Sequence, residues 1–284
     1  MHDNIIRKIE KAGLNVHGIE VFRSGDIVLR HFFHEDRRYP IYSATKSLTS
    51  AAVSIAADEG KLSPDCLLYE LLERRYHSMM TEDFKRLTVG RFMSMTAGKY
   101  PFRPQGEDWT EYILSLPVDN TDASYNYSNI PAYLVGAACE NAVGMPLIDY
   151  LMPRLFEPLG IPRPVYQTSP EGHFYGATGM ELTVHELSLI GQLCLQGGEF
   201  GGIQLISRER VMDSVTAKVK TESGGYGYFF GVNAHGFSIN GKWGQRCLVY
   251  PEKELMITYL SDLPERADEM LALANEYAEE ILRL

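Results

Sequence analysis

The chain has 284 residues, a formal net charge of −10, 45% hydrophobic and 23% charged residues, and no low-complexity tract. That length suits one large domain or two interleaved lobes around a sizeable core. The acidic balance argues against a nucleic-acid partner held by phosphate neutralisation, and no segment approaches the roughly 18 apolar residues of a membrane-spanning helix.

In chain order, Asp3 is placed to cap a short amphipathic helix with Ile5, Ile6 and Ile9 on one side. The opening MHDNIIRKIEKAGLNV has no apolar run long enough for a signal peptide, so a cytoplasmic location is expected. HGIEVFRSGDIVLRHFF reads as two strands around the turn Ser24-Gly25-Asp26. From Ser43 onward Leu48, Ala52 and Ile55 recur at helical spacing, and Gly60 is the C-terminal stop. Between about Leu62 and Glu199, helical apolar patterns appear in LLYELLERRYH, DWTEYILSLP, IPAYLVGAACENAVG, LIDYLMPRLFEPLG and TVHELSLIGQLCLQGG. Glycine pairs at 197–198, 201–202 and 224–225, and the stretch MTAGKYPFRPQG, mark loops. Strand patterns follow in YGYFFGVNAH, GFSIN, QRCLVYP and ELMITYLSD. A final helix, Pro264 to Leu284, carries Met270, Leu273, Tyr277 and Ile281 on one face.

This order predicts an α+β fold: an antiparallel sheet built from both ends of the chain, flanked by terminal helices, with an inserted mostly helical lobe. The expectation is a single domain over residues 1–284. Its α/β lobe takes about 1–42 and 200–284, and its helical lobe about 43–199. Cys66, Cys139, Cys194 and Cys247 are widely spaced in apolar contexts, as buried free thiols would be.

Several chemistries lack their motif. There is no G-x-S-x-G elbow and no Walker loop; HELSL at His185 lacks a second histidine, and GGYGYFFG fails the G-x-G-x-x-G spacing. His31 and His34 have no third ligand in pattern and read as surface histidines. YSATKSLTS is different: it holds the chain's only S-x-x-K, Ser43 and Lys46, at the start of a helix. At i and i+3 the two side chains share a face. A lysine held near neutral can take the proton that a serine nucleophile must lose, and helix N-terminal N–H groups suit an oxyanion. The plain alternative is an N-cap serine beside a surface lysine. ASYNYSNIPAYLVG adds Tyr127-Ser128-Asn129 at the head of another helix. There a tyrosine facing an ammonium would have a lowered pKa and act as a base, or the segment is simply a tyrosine-rich turn.

Together these motifs resemble the serine beta-lactamase and penicillin-binding-protein superfamily, in the branch holding class C beta-lactamases, D-peptidases and related esterases. The likeness extends through GDIVLRHFF, YPIYSATKSLTSAAVSIAADEGKLSPDCLLYELL, LTVGRFMSMTAG, YNYSNIPAYLVGAACENAVGMPLIDYL and GATGMELTVHELSLIGQLCLQGGEFGGIQLIS, in the family's order. The resemblance implies Ser43 as acylated nucleophile, Lys46 as its hydrogen-bonded partner, Tyr127 as general base with Lys46, and Asn129 as a substrate-orienting amide. It implies one oxyanion donor at the Ser43 N–H.

The family's third motif, K-T-G or H-x-G, departs here to Lys242-Trp243-Gly244 in GKWGQ. The second oxyanion N–H then belongs to Lys242 or to Gln245, unless Gly241 and Gly244 only shape a tight turn. Trp243 lacks the hydroxyl that helps hold a beta-lactam carboxylate, so a small ester or amide is expected ahead of a lactam or D-peptide. A catalytically silent, ligand-binding member is the non-enzymatic alternative. Trp109, Tyr112, Tyr226, Tyr228 and Phe229 line an acyl pocket or belong to the core. No metal or cofactor is implied.

Overall fold

An eight-stranded antiparallel sheet, built from both ends of the chain, runs through the described residues, 2–282, of the computed structural model. The Asp3 side chain, expected as a cap, and the expected helix end at Leu284 lie outside the described residues. α1 (His2–Ala12) precedes β1 (Val16–Arg23) and β2 (Asp26–Phe32), which turn at Ser24-Gly25. α2 (Thr45–Asp58), α3 (Ile130–Val143), α4 (Val184–Leu195) and α5 (Arg208–Val215) are the longer helices of the middle. Then come β3 (Val219–Thr221), β4 (Gly224–Tyr226), β5 (Gly231–Asn233), β6 (Gly236–Gly241), β7 (Gln245–Tyr250), β8 (Leu255–Ser261) and α6 (Ala267–Leu282). The strand order is β2-β1-β8-β7-β6-β5-β4-β3, and Val16 pairs with Ser261 through to Arg23 with Leu255 where the chain's two ends meet.

The sheet separates two cores. On one face Ile5 and Ile9 of α1 pack with Ile257, Met270 and Tyr277, the latter two from α6; on the other, α4 and the helical region bury the larger core. α2 lies inside that larger core, with every residue from Thr45 to Ala57 buried. The apolar spacing of Leu48, Ala52 and Ile55 marks only one of its faces. The others bury small hydroxyl side chains by bonding them to carbonyls: Ser47 Oγ to Phe229 O (3.0 Å) and Thr49 Oγ1 to Gly176 O (2.8 Å). The helix stops at Gly60 as expected, with φ +68° and Lys61 N donating to Ala56 O.

Three expected elements are shorter or split. LLYELLERRYH is α-helical over Leu68–Leu71, breaks at the extended Leu72 and Glu73, and resumes as a 3-10 helix over Arg74–Met79, with the Leu72 carbonyl bonded to His77. LIDYLMPRLFEPLG is helical over Leu147–Leu151 and widens to a π turn over Met152–Phe156, where Pro153 has no N–H to offer. YGYFFGVNAH divides into β4 and β5, because Phe229 takes φ +64° between them. All four thiols are free; Cys139 and Cys247 are buried. His31 packs edge-on to Phe33, and His34 bonds to Asn15. No helix among the described residues is long and apolar enough to cross a membrane.

Candidate active site

Ser43 is not the N-cap of α2. It lies in a 3-10 turn, Tyr42–Ala44, that feeds the helix, and Ala44 takes the cap position without a side-chain bond. The hydroxyl is therefore not spent on capping and opens onto a cavity of about 980 Å³.

Lys46 is wholly buried, and burial brings its pKa down to about 7. Its Nζ donates to Ser43 Oγ (3.1 Å), Asn129 Oδ1 (2.8 Å) and Ala177 O (2.9 Å). An ammonium has three protons for these three acceptors. When one leaves, the lone pair can only face Ser43, because an amide oxygen and a backbone carbonyl cannot donate back. The geometry thus directs the neutral amine's basicity at one hydroxyl.

Tyr127 and Asn129 arrive on the segment before α3. Asn129 N donates to Phe102 O (2.9 Å), and Asn129 Nδ2 to Tyr175 Oη (3.1 Å), so the side chain that holds Lys46 is itself held. Tyr127 corrects an expectation. Lys46 meets the face of its ring, 4.9 Å from the centroid, and burial raises the phenol's pKa; the Ser43 hydroxyl and Arg246 oppose that rise without reversing it. The expected drop assumed an ammonium at the phenol oxygen.

Lys242, Trp243 and Gly244 form the turn between β6 and β7, with φ +64° at Trp243 and +86° at Gly244. Lys242 lines the cavity, and its N–H donates none of the backbone hydrogen bonds of the described turns and loops. Gln245 is buried behind the turn, its Nε2 on Lys242 O (3.0 Å) and Ser261 O (2.6 Å). Trp243 and Gly244 do not line the cavity.

Of the five aromatics weighed for the pocket, Tyr226 and Phe229 line it. Trp109 instead meets Tyr175 edge to face (4.7 Å), and Tyr228 packs beneath Lys218. Tyr42, Phe102, Tyr125 and Tyr127 are the other aromatic residues in the lining. Sequence reasoning also missed Arg103, Asn240 and Arg246 in the lining, and the Ala177 carbonyl. A carbonyl has no residue signature, but Arg246 adjoins GKWGQ and was within reach. Four cations, Arg103, Lys220, Lys242 and Arg246, face one carboxylate, Glu222, and none of the four makes an ion pair among the described residues. Arg246 Nη1 rests on Gly241 O (2.7 Å) and Gln245 O (3.1 Å).

Among the described residues six non-glycine residues have positive φ: Tyr42 and Phe229 line this site and Trp243 adjoins it, while Ser24, Met95 and Glu254 lie outside its lining. Left-handed backbone costs such residues about 1–2 kcal/mol each, a strain that concentrates at functional sites.

A helical lobe on an antiparallel sheet, with a Ser-Lys pair where they meet, is the architecture of serine hydrolases related to penicillin-binding proteins. The Beta-lactamase family model matches residues 5–280, and the chain belongs to that family. A Bacillus anthracis protein provisionally assigned as a 6-aminohexanoate-dimer hydrolase superposes with a TM-score of 0.80 at 16% identity, covering 98% of this chain and 82% of its own. A class C beta-lactamase mutant superposes at 0.76 with 15% identity, covering 98% and 96%. The octameric penicillin-binding protein homologue of Pyrococcus abyssi gives 0.70 at 18%, covering 97% and 76%. Comparison with curated protein sequences gives no significant match.

Proposed function

We propose that the protein cleaves a small ester or amide through an acyl-Ser43 intermediate. The observation that carries this is Lys46, buried, with its pKa near 7 and its lone pair restricted to Ser43. Neutral Lys46 takes the Ser43 proton as Oγ attacks the carbonyl carbon. The oxyanion accepts from the backbone N–H groups of Ser43 and Lys242, the latter favoured over Gln245 because Gln245 is buried behind the turn. Tyr127, whose pKa is raised, keeps its proton and passes it to the leaving alcohol or amine as the C–O or C–N bond breaks. Water then attacks the acyl carbon and the same groups run in reverse, restoring the Ser43 hydroxyl. Asn129 holds Lys46 in place.

The unpaired cations around the cavity favour a substrate carrying a negative charge, in a protein whose overall net charge is −10. Trp243, with no hydroxyl where the family's third motif has one, weighs against a strong lactamase. The test is a panel of p-nitrophenyl esters with and without a carboxylate, D-peptides and nitrocefin, read by turnover and by intact mass. The expected result is an acyl adduct on Ser43 and a preference for anionic esters of about tenfold that fades as salt screens it. Rapid nitrocefin turnover without esterase activity would sink the ester reading, and no adduct with any compound would favour a silent, ligand-binding protein.

Tyr127→Phe should lower turnover of an alkyl ester by roughly 10²-fold, the scale of a lost general acid. A p-nitrophenyl ester, whose leaving group needs no proton, should suffer much less. Equal losses on both would return Tyr127 to the base role.

A further inference from the structure

Two residues that take no part in proton transfer flank both donors of the proposed oxyanion hole. Tyr42 precedes Ser43, and Trp243 follows Lys242. Each holds left-handed backbone, φ +48° and +64°, which glycine adopts freely and an aromatic residue does not. Their rings meet edge to face, centroids 5.1 Å apart at 72°. The Lys242 ammonium lies 4.1 Å from the indole centroid.

The surroundings limit how the two turns can move. Every carbonyl of the β6–β7 turn is engaged: Lys242 O by Gln245 Nε2 (3.0 Å), Trp243 O by Ser261 Oγ (2.9 Å) and Leu263 N (3.1 Å), and Gly244 O by Ser261 Oγ (2.8 Å). On the nucleophile's side the backbones nearly touch, since a Cβ at Gly241 would lie 2.2 Å from Ile41 O. Across the side chains, the Tyr42–Trp243 ring contact joins the two turns.

We propose that Tyr42 and Trp243 are positioning residues whose ring contact braces the nucleophile turn against the β6–β7 turn and so sets the spacing of the Ser43 and Lys242 N–H groups. This rests on the acyl-serine reading above. Oxyanion stabilisation depends on donors placed for the tetrahedral state, and small displacements are costly. The left-handed φ values separate this role from ordinary packing. Glycine at 243 removes the brace and relaxes the backbone together, so catalysis and stability should part company.

The test compares wild type with Trp243→Gly, Trp243→Phe, Tyr42→Gly and the double glycine variant. Each is measured for acyl adduct by intact mass, kcat and KM on a p-nitrophenyl ester, affinity for a boronic acid that forms a tetrahedral serine adduct, and Tm. Trp243→Gly should lose roughly 30-fold in both kcat and boronate affinity, with KM within about twofold and Tm no lower than wild type. Trp243→Phe, which keeps a ring edge, should restore both to within about threefold, and the double variant should be no worse than the worse single one, because both remove one contact. The brace is overturned if Trp243→Gly keeps kcat within twofold, if the two glycine losses multiply, or if Tm falls in step with activity and phenylalanine does not rescue. Wild-type protein that neither forms an adduct nor binds the boronate overturns the acyl-serine reading and the brace with it. A normal wild-type adduct beside unaffected glycine variants overturns the brace alone.

Discussion

Ser43→Ala should abolish ester turnover, lowering kcat by roughly 10⁴-fold or more, the scale of losing a nucleophile that acts as a unit with its base. The side chain is half-buried in a 3-10 turn and forms no capping bond, so the variant should fold and keep its Tm. The acyl adduct seen by mass in wild type should be missing. Substrate binding should survive, because the cations and aromatic wall of the cavity are untouched. Unchanged hydrolysis in Ser43→Ala would remove the nucleophile from the mechanism altogether.

The second large effect concerns Lys46. Lys46→Met, similar in length but without a proton acceptor, should cost roughly 10³-fold in kcat/KM, within the range of general-base losses. In wild type kcat/KM should climb about tenfold per pH unit below the Lys46 pKa and level off above it, with the bend at about pH 7, since only the neutral amine can accept the Ser43 proton. Stability carries the same signature. Burial depresses Lys46 from its ordinary 10.5 to about 7, so between those values the unfolded chain binds a proton that the folded chain does not. The lysine's cost to folding is therefore greatest below about pH 7 and shrinks as pH rises towards 10.5. Denaturant midpoints for Lys46→Met should show a weaker rise across that window. A flat rate profile from pH 6 to 9 in wild type would take the base role away from Lys46.

Local rules carried the sequence reading a long way. Periodicity of two and of 3.6 placed the N-terminal hairpin, the closing strands and the nucleophile helix, because each pattern reports which side of an element meets the core. It misjudged LLYELLERRYH and YGYFFGVNAH, where extended backbone at Leu72 and Glu73 and a left-handed Phe229 split elements whose apolar residues continue. The same spacing logic put Ser43 beside Lys46 before any fold was known.

The strand–helix–strand order and the i, i+3 Ser43–Lys46 pair at the entry to α2 were legible in the sequence, since both follow from chemistry within a few residues of one another. What that pair can do depends on neighbours that folding brings in from far along the chain. The acceptors that direct Lys46 at Ser43 lie 83 and 131 residues away, at Asn129 and Ala177, and the burial that brings the amine near neutral comes from segments packed around α2. Tyr127 went the opposite way from the sequence expectation for the same reason: the ammonium meets its ring face, and desolvation outweighs the polar contacts. The gathering of Arg103, Lys220, Lys242 and Arg246 around one cavity likewise depends on which turns meet in space. Desolvation and convergence are sums over distant neighbours, and a linear pattern does not contain them.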